Sequence, residues 1–159
     1  MNIRLAKPED LKEIQNIYDS AKSFMREQGN MKQWVNGYPS DEILLKDIAN
    51  NNLYVVEEEE IKAVFALIYG DDQTYSYIEG EWLNDNPYGT IHRIASRKEF
   101  KDTLKIVTKF ALLKTNDVRI DTHEDNVVMR HVVLKNGYKY CGVIYLANGD
   151  PRLAYQLGV

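Results

Sequence analysis

Thr90-Ile91-His92-Arg93-Ile94-Ala95-Ser96 is a short apolar and β-branched run that ends where Arg97 opens a helical pattern. Apolar residues then recur at 100, 104, 107 and 111, flanked by 106, 110 and 113. That spacing predicts a helix over 97–114 with a stripe broad enough to cover a sheet. Val118-Arg119-Ile120-Asp121-Thr122 is a second β-type run. Residues 90–122 therefore read strand, helix, strand, a unit that makes a right-handed parallel crossover within one sheet.

Upstream, residues 3–5 open a strand and Pro8 suits the first turn of a helix, with Glu9 and Asp10 complementing its dipole. Leu11, Ile14, Ile17, Tyr18, Ala21, Phe24 and Met25 form one apolar face until Gly29 interrupts. A loop through Trp34, Gly37 and Pro39 leads to a second helix over 40–50, with Ser40 or Asp41 as N-cap. Residues 53–58 and 63–69 are β-branched runs split by an acidic turn, which predicts a hairpin. A further strand is predicted over 74–78, followed by a polar loop carrying Gly80, Trp82, Pro87 and Gly89. Downstream come a helix over 125–136, a left-handed cap at Gly137, and strands over 138–146 and 153–157 around Asn148-Gly149-Asp150. The order predicts an α/β (α+β) fold, a mixed sheet with helices on both faces.

Composition narrows the function classes. The 159 residues show no repeat or linker and fit one domain spanning 1–159, which buries roughly 70% of its unfolded surface. One cysteine, Cys141, allows no intrachain bridge. No apolar run approaches the ~20 residues of a membrane span, and the N-terminus lacks a signal-peptide core, so a cytoplasmic protein without a membrane partner is expected. Twenty basic against twenty-four acidic residues, a net charge of −4, argue against a nucleic-acid partner.

Over essentially its whole length the chain resembles the GNAT superfamily of N-acetyltransferases. Ile3-Arg4-Leu5-Ala6-Lys7-Pro8-Glu9-Asp10-Leu11 is similar to the family's first strand and helix, and Thr90 to Ser96 to its central strand. Asp121-Thr122-His123-Glu124-Asp125-Asn126 with Lys135-Asn136-Gly137-Tyr138 resembles its fifth strand, its asparagine and its Lys-x-Gly-aromatic signature. The resemblance implies a mostly antiparallel GNAT-like sheet and direct transfer of acetyl from acetyl-CoA to a primary amine of a small molecule or peptide. It also implies a homodimer pairing on a strand edge. Pantetheine is expected along Ile94 and Ala95, the pyrophosphate at Ser96, Arg97, Lys98, Lys101, Asp102 and Thr103, and a cofactor contact at Asn126. A helix N-terminus presents free N–H groups to such an anion.

The chain departs from the family at three places. The Gln/Arg-x-x-Gly-x-Gly/Ala loop is replaced by Arg97-Lys98-Glu99-Phe100-Lys101-Asp102-Thr103, with no glycine between Gly89 and Gly137. Ser96 and Glu99 have capping-box spacing, an arrangement that places a carboxylate where the pyrophosphate sits and points instead to a non-catalytic binding domain. The family's tyrosine acid falls at Val133, with Tyr138, Tyr140 and Tyr145 nearby, and Met129 stands where a small alanine is usual.

Among titratable residues, His92 is the first candidate base, since imidazole takes up a proton near neutral pH. It also reads as a hydrogen-bonded strand histidine. Glu79, with Glu81, is the rival base or an acidic lining for a cationic amine. Trp34, Tyr38 and Trp82 are candidates to hold an ammonium on their ring faces, or to anchor packing. Cys141 reads as a core residue, and His123, His131 and Cys141 lack a metal-ligand spacing.

Overall fold

The computed structural model describes residues 1–158. Its single sheet of eight strands comprises β1 (Asn2–Leu5), β2 (Leu53–Glu58), β3 (Glu60–Tyr69), β4 (Glu79–Gly80), β5 (Gly89–Ser96), β6 (Asp117–Thr122), β7 (Lys139–Tyr145) and β8 (Pro151–Gly158). The spatial order is β1-β2-β3-β5-β6-β8-β7-β4, antiparallel throughout except between β5 and β6. The predicted parallel crossover is present, carried by α3 (Thr103–Ala111).

Period-two alternation places the helices on two faces. Leu53, Val55, Val64 and Ala66 pack against α1 (Leu11–Glu27) and α2 (Asp41–Ala49) through Ile14, Ile17, Tyr18 and Leu44. Their neighbours Val56, Ala63, Phe65 and Leu67 point the other way, onto Leu104, Val107 and Ala111 of α3 and Val133 of α4 (Val127–Lys135). Ser40 caps α2, its side chain accepting from the Ile43 amide, and Gly137 takes the left-handed conformation after α4 with φ +89°.

Two expectations fail for local reasons. The helix expected from Arg97 begins only at Thr103. The Arg97 guanidinium is turned back to the Ile61 carbonyl at 2.8 Å and to Glu13 at 2.8 Å, and Asp102 sits at φ +62°, outside the helical region. No strand forms over 74–78. Asp72 Oδ1 accepts from the Thr74 amide at 2.9 Å, which turns residues Gln73–Tyr75 into a 3₁₀ turn and sends Tyr75 inward against Trp82.

Just beyond those residues lies β4, two residues paired with β7 at the sheet's edge. Gly80 and Gly142 meet there with φ of +136° and +147°. A Cβ on Gly142 would lie 2.1 Å from the Glu79 carbonyl oxygen. Gly142→Ala is therefore expected to break the β4–β7 pair and cost about 1–3 kcal/mol, read as a lower urea midpoint at unchanged m-value.

The loop between β4 and β5 is tied to β6 by side-chain contacts. Arg119 of β6 stacks between the rings of Trp82 and Tyr88 at 4.0 and 3.9 Å. Asn84 and Asn86 donate to the two oxygens of buried Asp117 at 2.8 and 3.2 Å. Trp82 is thus a packing anchor rather than part of an acceptor site. Among the described residues no helix is long and apolar enough to cross a membrane.

Candidate functional site

β5 and β6 lie side by side for only two residue pairs, Gly89 with Val118 and Thr90 with Arg119. Beyond them the strands part. The β6-facing peptide groups of β5 from Ile91 onward and the β5-facing groups of β6 from Ile120 onward then lack a ladder partner, and unpaired backbone groups of this kind seek a ligand or water. The gap opens into a cleft of about 690 Å³ between Ile91, His92, Arg93 and Ile94 on one wall and Ile120, Asp121 and Thr122 on the other.

A β-bulge shapes the first wall. Ala66 pairs with His92 and Val64 with Ala95, so Phe65 faces both Arg93 and Ile94. Arg93 takes φ +49°, unusual for a residue with a side chain. Three contacts hold it there. Its carbonyl accepts from the Tyr18 hydroxyl at 2.6 Å, its Nε donates to Asp47 of α2 at 2.9 Å, and its Nη1 donates to the Tyr38 hydroxyl at 3.1 Å.

His92, half-buried next to the bulge, makes a 2.8 Å bond from Nε2 to Asp72 Oδ2. The Asp72 carboxyl is held below the usual range, chiefly by this bond, so it is an anion that only accepts, and His92 Nε2–H is the donor. The other ring nitrogen, Nδ1, is then the one with a free lone pair. Asp72 is itself fixed: its amide donates to the Tyr88 hydroxyl at 2.8 Å, besides the turn bond to Thr74.

On the second wall Asp121 accepts from the Tyr75 hydroxyl at 2.5 Å. Burial first and this carboxylate second push the Tyr75 hydroxyl well above its ordinary range, keeping it a donor. Thr122 Oγ1 is buried without a partner. Asn126 lines the cleft but is also the N-cap of α4, its Oδ1 accepting from Met129 and its Nδ2 donating to Gln33, each at 3.0 Å.

The other sequence candidates are more dispersed. Glu79 lies on β4 at the far edge of the sheet, exposed, with its carboxylate accepting from the Tyr145 hydroxyl at 2.8 Å; it does not line the cleft. Three strands, β6, β8 and β7, separate it from His92 on β5, thirteen residues away in sequence, because β4 leaves the 74–92 segment to pair with β7. Glu81 is exposed near the same edge. Ile94 faces the cleft, whereas Ala95 is packed under α1 and Ser96 ends the strand beside Ala63.

Arg97 is engaged with Glu13 and the β2–β3 hairpin, while Lys98, Lys101 and Asp102 are exposed and Thr103 begins α3. No Ser96–Glu99 capping box forms, because the helix starts too late for it. Among the described residues no side chain caps the first turn of α3, so its leading amides stay available to an anion.

Val133 is core, Tyr138 is buried and bonded to Thr108 at 2.7 Å, and Tyr140 and Tyr145 face solvent away from the cleft. Cys141 is buried in β7, and burial pushes its thiol up. Trp34 and Tyr38 do line the cleft. Asp72 was invisible to the sequence reading, although Asp-x-Thr after a strand is the signature of the turn that aims it.

The chain is similar over 99% of its length to a GNAT-family acetyltransferase of known structure from Streptococcus agalactiae, covering 95% of that chain at 36% identity and a TM-score of 0.87. A GNAT-family acetyltransferase from Listeria monocytogenes shares the fold at 19% identity and a TM-score of 0.72, with 99% and 94% of the two chains covered. A ribosomal-protein-alanine N-acetyltransferase from Brucella melitensis shares it at 15% identity and 0.65 over the whole of both chains. No family model and no curated protein matches the chain.

Proposed function

Because the chain belongs to the GNAT family of acetyltransferases, we propose that it moves an acetyl group from acetyl-CoA directly to a primary amine, with His92 as base and Asp72 as the residue that positions it. The observation that carries this reading is the β5–β6 ladder, which opens beside a carboxylate-oriented imidazole.

Acetyl-CoA supplies the activated thioester when bound. Its pantetheine arm suits the unpaired edge of β5 at Ile94, and its pyrophosphate suits the uncapped start of α3 beside Lys98 and Lys101. His92 Nδ1 takes a proton from the acceptor ammonium, directly or through one water. The freed amine forms the C–N bond, the C–S bond breaks, and the second amine proton passes to water or to the departed thiolate. The sulfur leaves as thiolate, a stable anion for a thiol of pKa about 8.5, so no side-chain acid is required where the family has its tyrosine. Unpaired amides of β5 suit the developing oxyanion as hydrogen-bond donors. No cysteine lines the cleft among the described residues, which favours direct transfer over an acyl-enzyme.

Acetyl-CoA at a hundredfold excess over its Kd is expected to stabilise the protein by ~2.7 kcal/mol, a rise in Tm of roughly 5–10 °C. Thiol release should follow with a panel of amines. No shift at millimolar acetyl-CoA would instead favour a GNAT-like binding domain.

Asp102→Gly removes a carboxylate and a left-handed non-glycine residue from the start of α3. It should tighten acetyl-CoA binding roughly two- to fivefold, from the ~0.3–1 kcal/mol one charge carries at a helix N-terminus. Weaker binding in a titration would mean that the Asp102 side chain itself holds the donor.

A further inference from the structure

The cleft contains a cation that makes no ion pair among the described residues. Arg152, the second residue of β8, follows the Asn148-Gly149-Asp150 turn and lines the wall opposite β5. It is only 9% exposed, and its sole hydrogen bond runs from Nη1 to its neighbour's carbonyl, Pro151 O, at 2.8 Å. No ion pair among the described residues includes it. Guanidinium has five N–H donors, and arginine is rarely buried without an anion.

The acids that line the cleft make their side-chain hydrogen bonds with groups other than Arg152. Asp150 accepts from Asn148 at 3.1 Å, Asp121 from Tyr75, and Asp72 from His92. Lys32 contributes a second cation from the α1–α2 loop. The Arg152 charge also reaches His123, whose imidazole is held below its ordinary range by burial first and by Arg152 second.

We infer that the acceptor is an amine that also carries an anionic oxygen group, a carboxylate or a phosphate, bound by the Arg152 fork with help from Lys32. The inference rests on the reading of this cleft as the acyl-transfer site. It divides the cleft by charge: Asp72 with His92 handles the ammonium end, and Arg152 the anionic end. A planar fork against a two-oxygen anion fixes orientation as well as affinity, which a lone Lys32 does not.

Matched amines test this. Thiol release from acetyl-CoA is measured with α-amino acids against their α-amides, and with phosphoethanolamine against ethanolamine. The expected result is at least a tenfold higher kcat/KM for one anionic class, with the carboxylate and phosphate pairs telling the two anions apart. Arg152→Gln should erase that preference through a raised KM, and Arg152→Lys should restore part of it. Equal turnover of charged and neutral partners by the unaltered protein overturns the inference while leaving acetyl transfer intact.

A second readout needs no turnover: the shift in Tm with each anionic amine alone. If no amine releases thiol, a shift present in the unaltered protein and absent in Arg152→Gln still supports the anion site, and the transfer reading is what fails. Neither turnover nor a shift with any anionic amine overturns the anion site itself.

Discussion

His92→Gln is expected to lower kcat for acetyl transfer by about 10²–10³-fold, the range general-base catalysis contributes, with the KM for acetyl-CoA nearly unchanged. Glutamine keeps a polar side chain of similar reach at a half-buried strand position, so the bulge beside it should persist and the loss should report chemistry. Asp72→Asn is the informative partner. Its side chain still meets Nε2 but no longer requires that nitrogen to carry the proton, because an amide offers both a donor and an acceptor. Part of the population then has Nδ1 protonated and useless as a base, and kcat should drop about tenfold without a matching change in KM. Equal kcat in all three proteins would remove His92 from the chemistry.

The same pair makes a pH statement. Asp72 is held below the ordinary carboxylate range in the folded protein, so its contribution to stability is present above about pH 4 and is lost as pH falls through the depressed value. The difference in unfolding free energy between Asp72→Asn and the unaltered protein should therefore be largest near neutrality and shrink on acidification.

The sequence carried the architecture because its strongest signals are long-period ones. The stripe at 104, 107 and 111 and the face at 14, 17 and 18 are repeated several times over, and each has a buried partner in the sheet. The site was less legible because it depends on where regularity stops. Nothing in Thr90 to Ser96 announces that β5 leaves β6 after two residues, or that Arg93 rather than a glycine takes a positive φ. Arg93 does so because Asp47, Tyr38 and Tyr18 come from distant segments to hold it. The polar and aromatic alternation at 74–78 was misleading for a related reason: a side-chain bond from Asp72 outcompeted the ladder, and the turn it made both oriented His92 and carried Glu79 to the other edge of the sheet.

Asp47→Ala should be among the most destabilising single changes available. Asp47 lies on α2 and Arg93 on β5; their side chains are 11% and 13% exposed, with Nη2 to Oδ2 at 2.8 Å. Removing the carboxylate strands a guanidinium among Tyr18, Tyr38 and the α1–α2 core. Breaking a buried pair from one side costs about 3–5 kcal/mol, more than the pair itself contributes, because the remaining charge has lost its compensation. For a domain of this size that is a fall in Tm on the order of 10 °C.

The double variant Asp47→Ala, Arg93→Met separates charge from geometry. With no stranded cation it should recover much of the lost stability, since apolar replacement of a buried pair is often close to neutral. Its acetyl transfer should stay low even so. The left-handed backbone at residue 93 would then be held only by the Tyr18 bond to its carbonyl, and a bulge free to relax carries His92 away from Asp72. Recovery of both stability and activity would show that the bulge needs no side-chain anchor. A loss below about 1 kcal/mol in the single variant would show that water reaches Arg93.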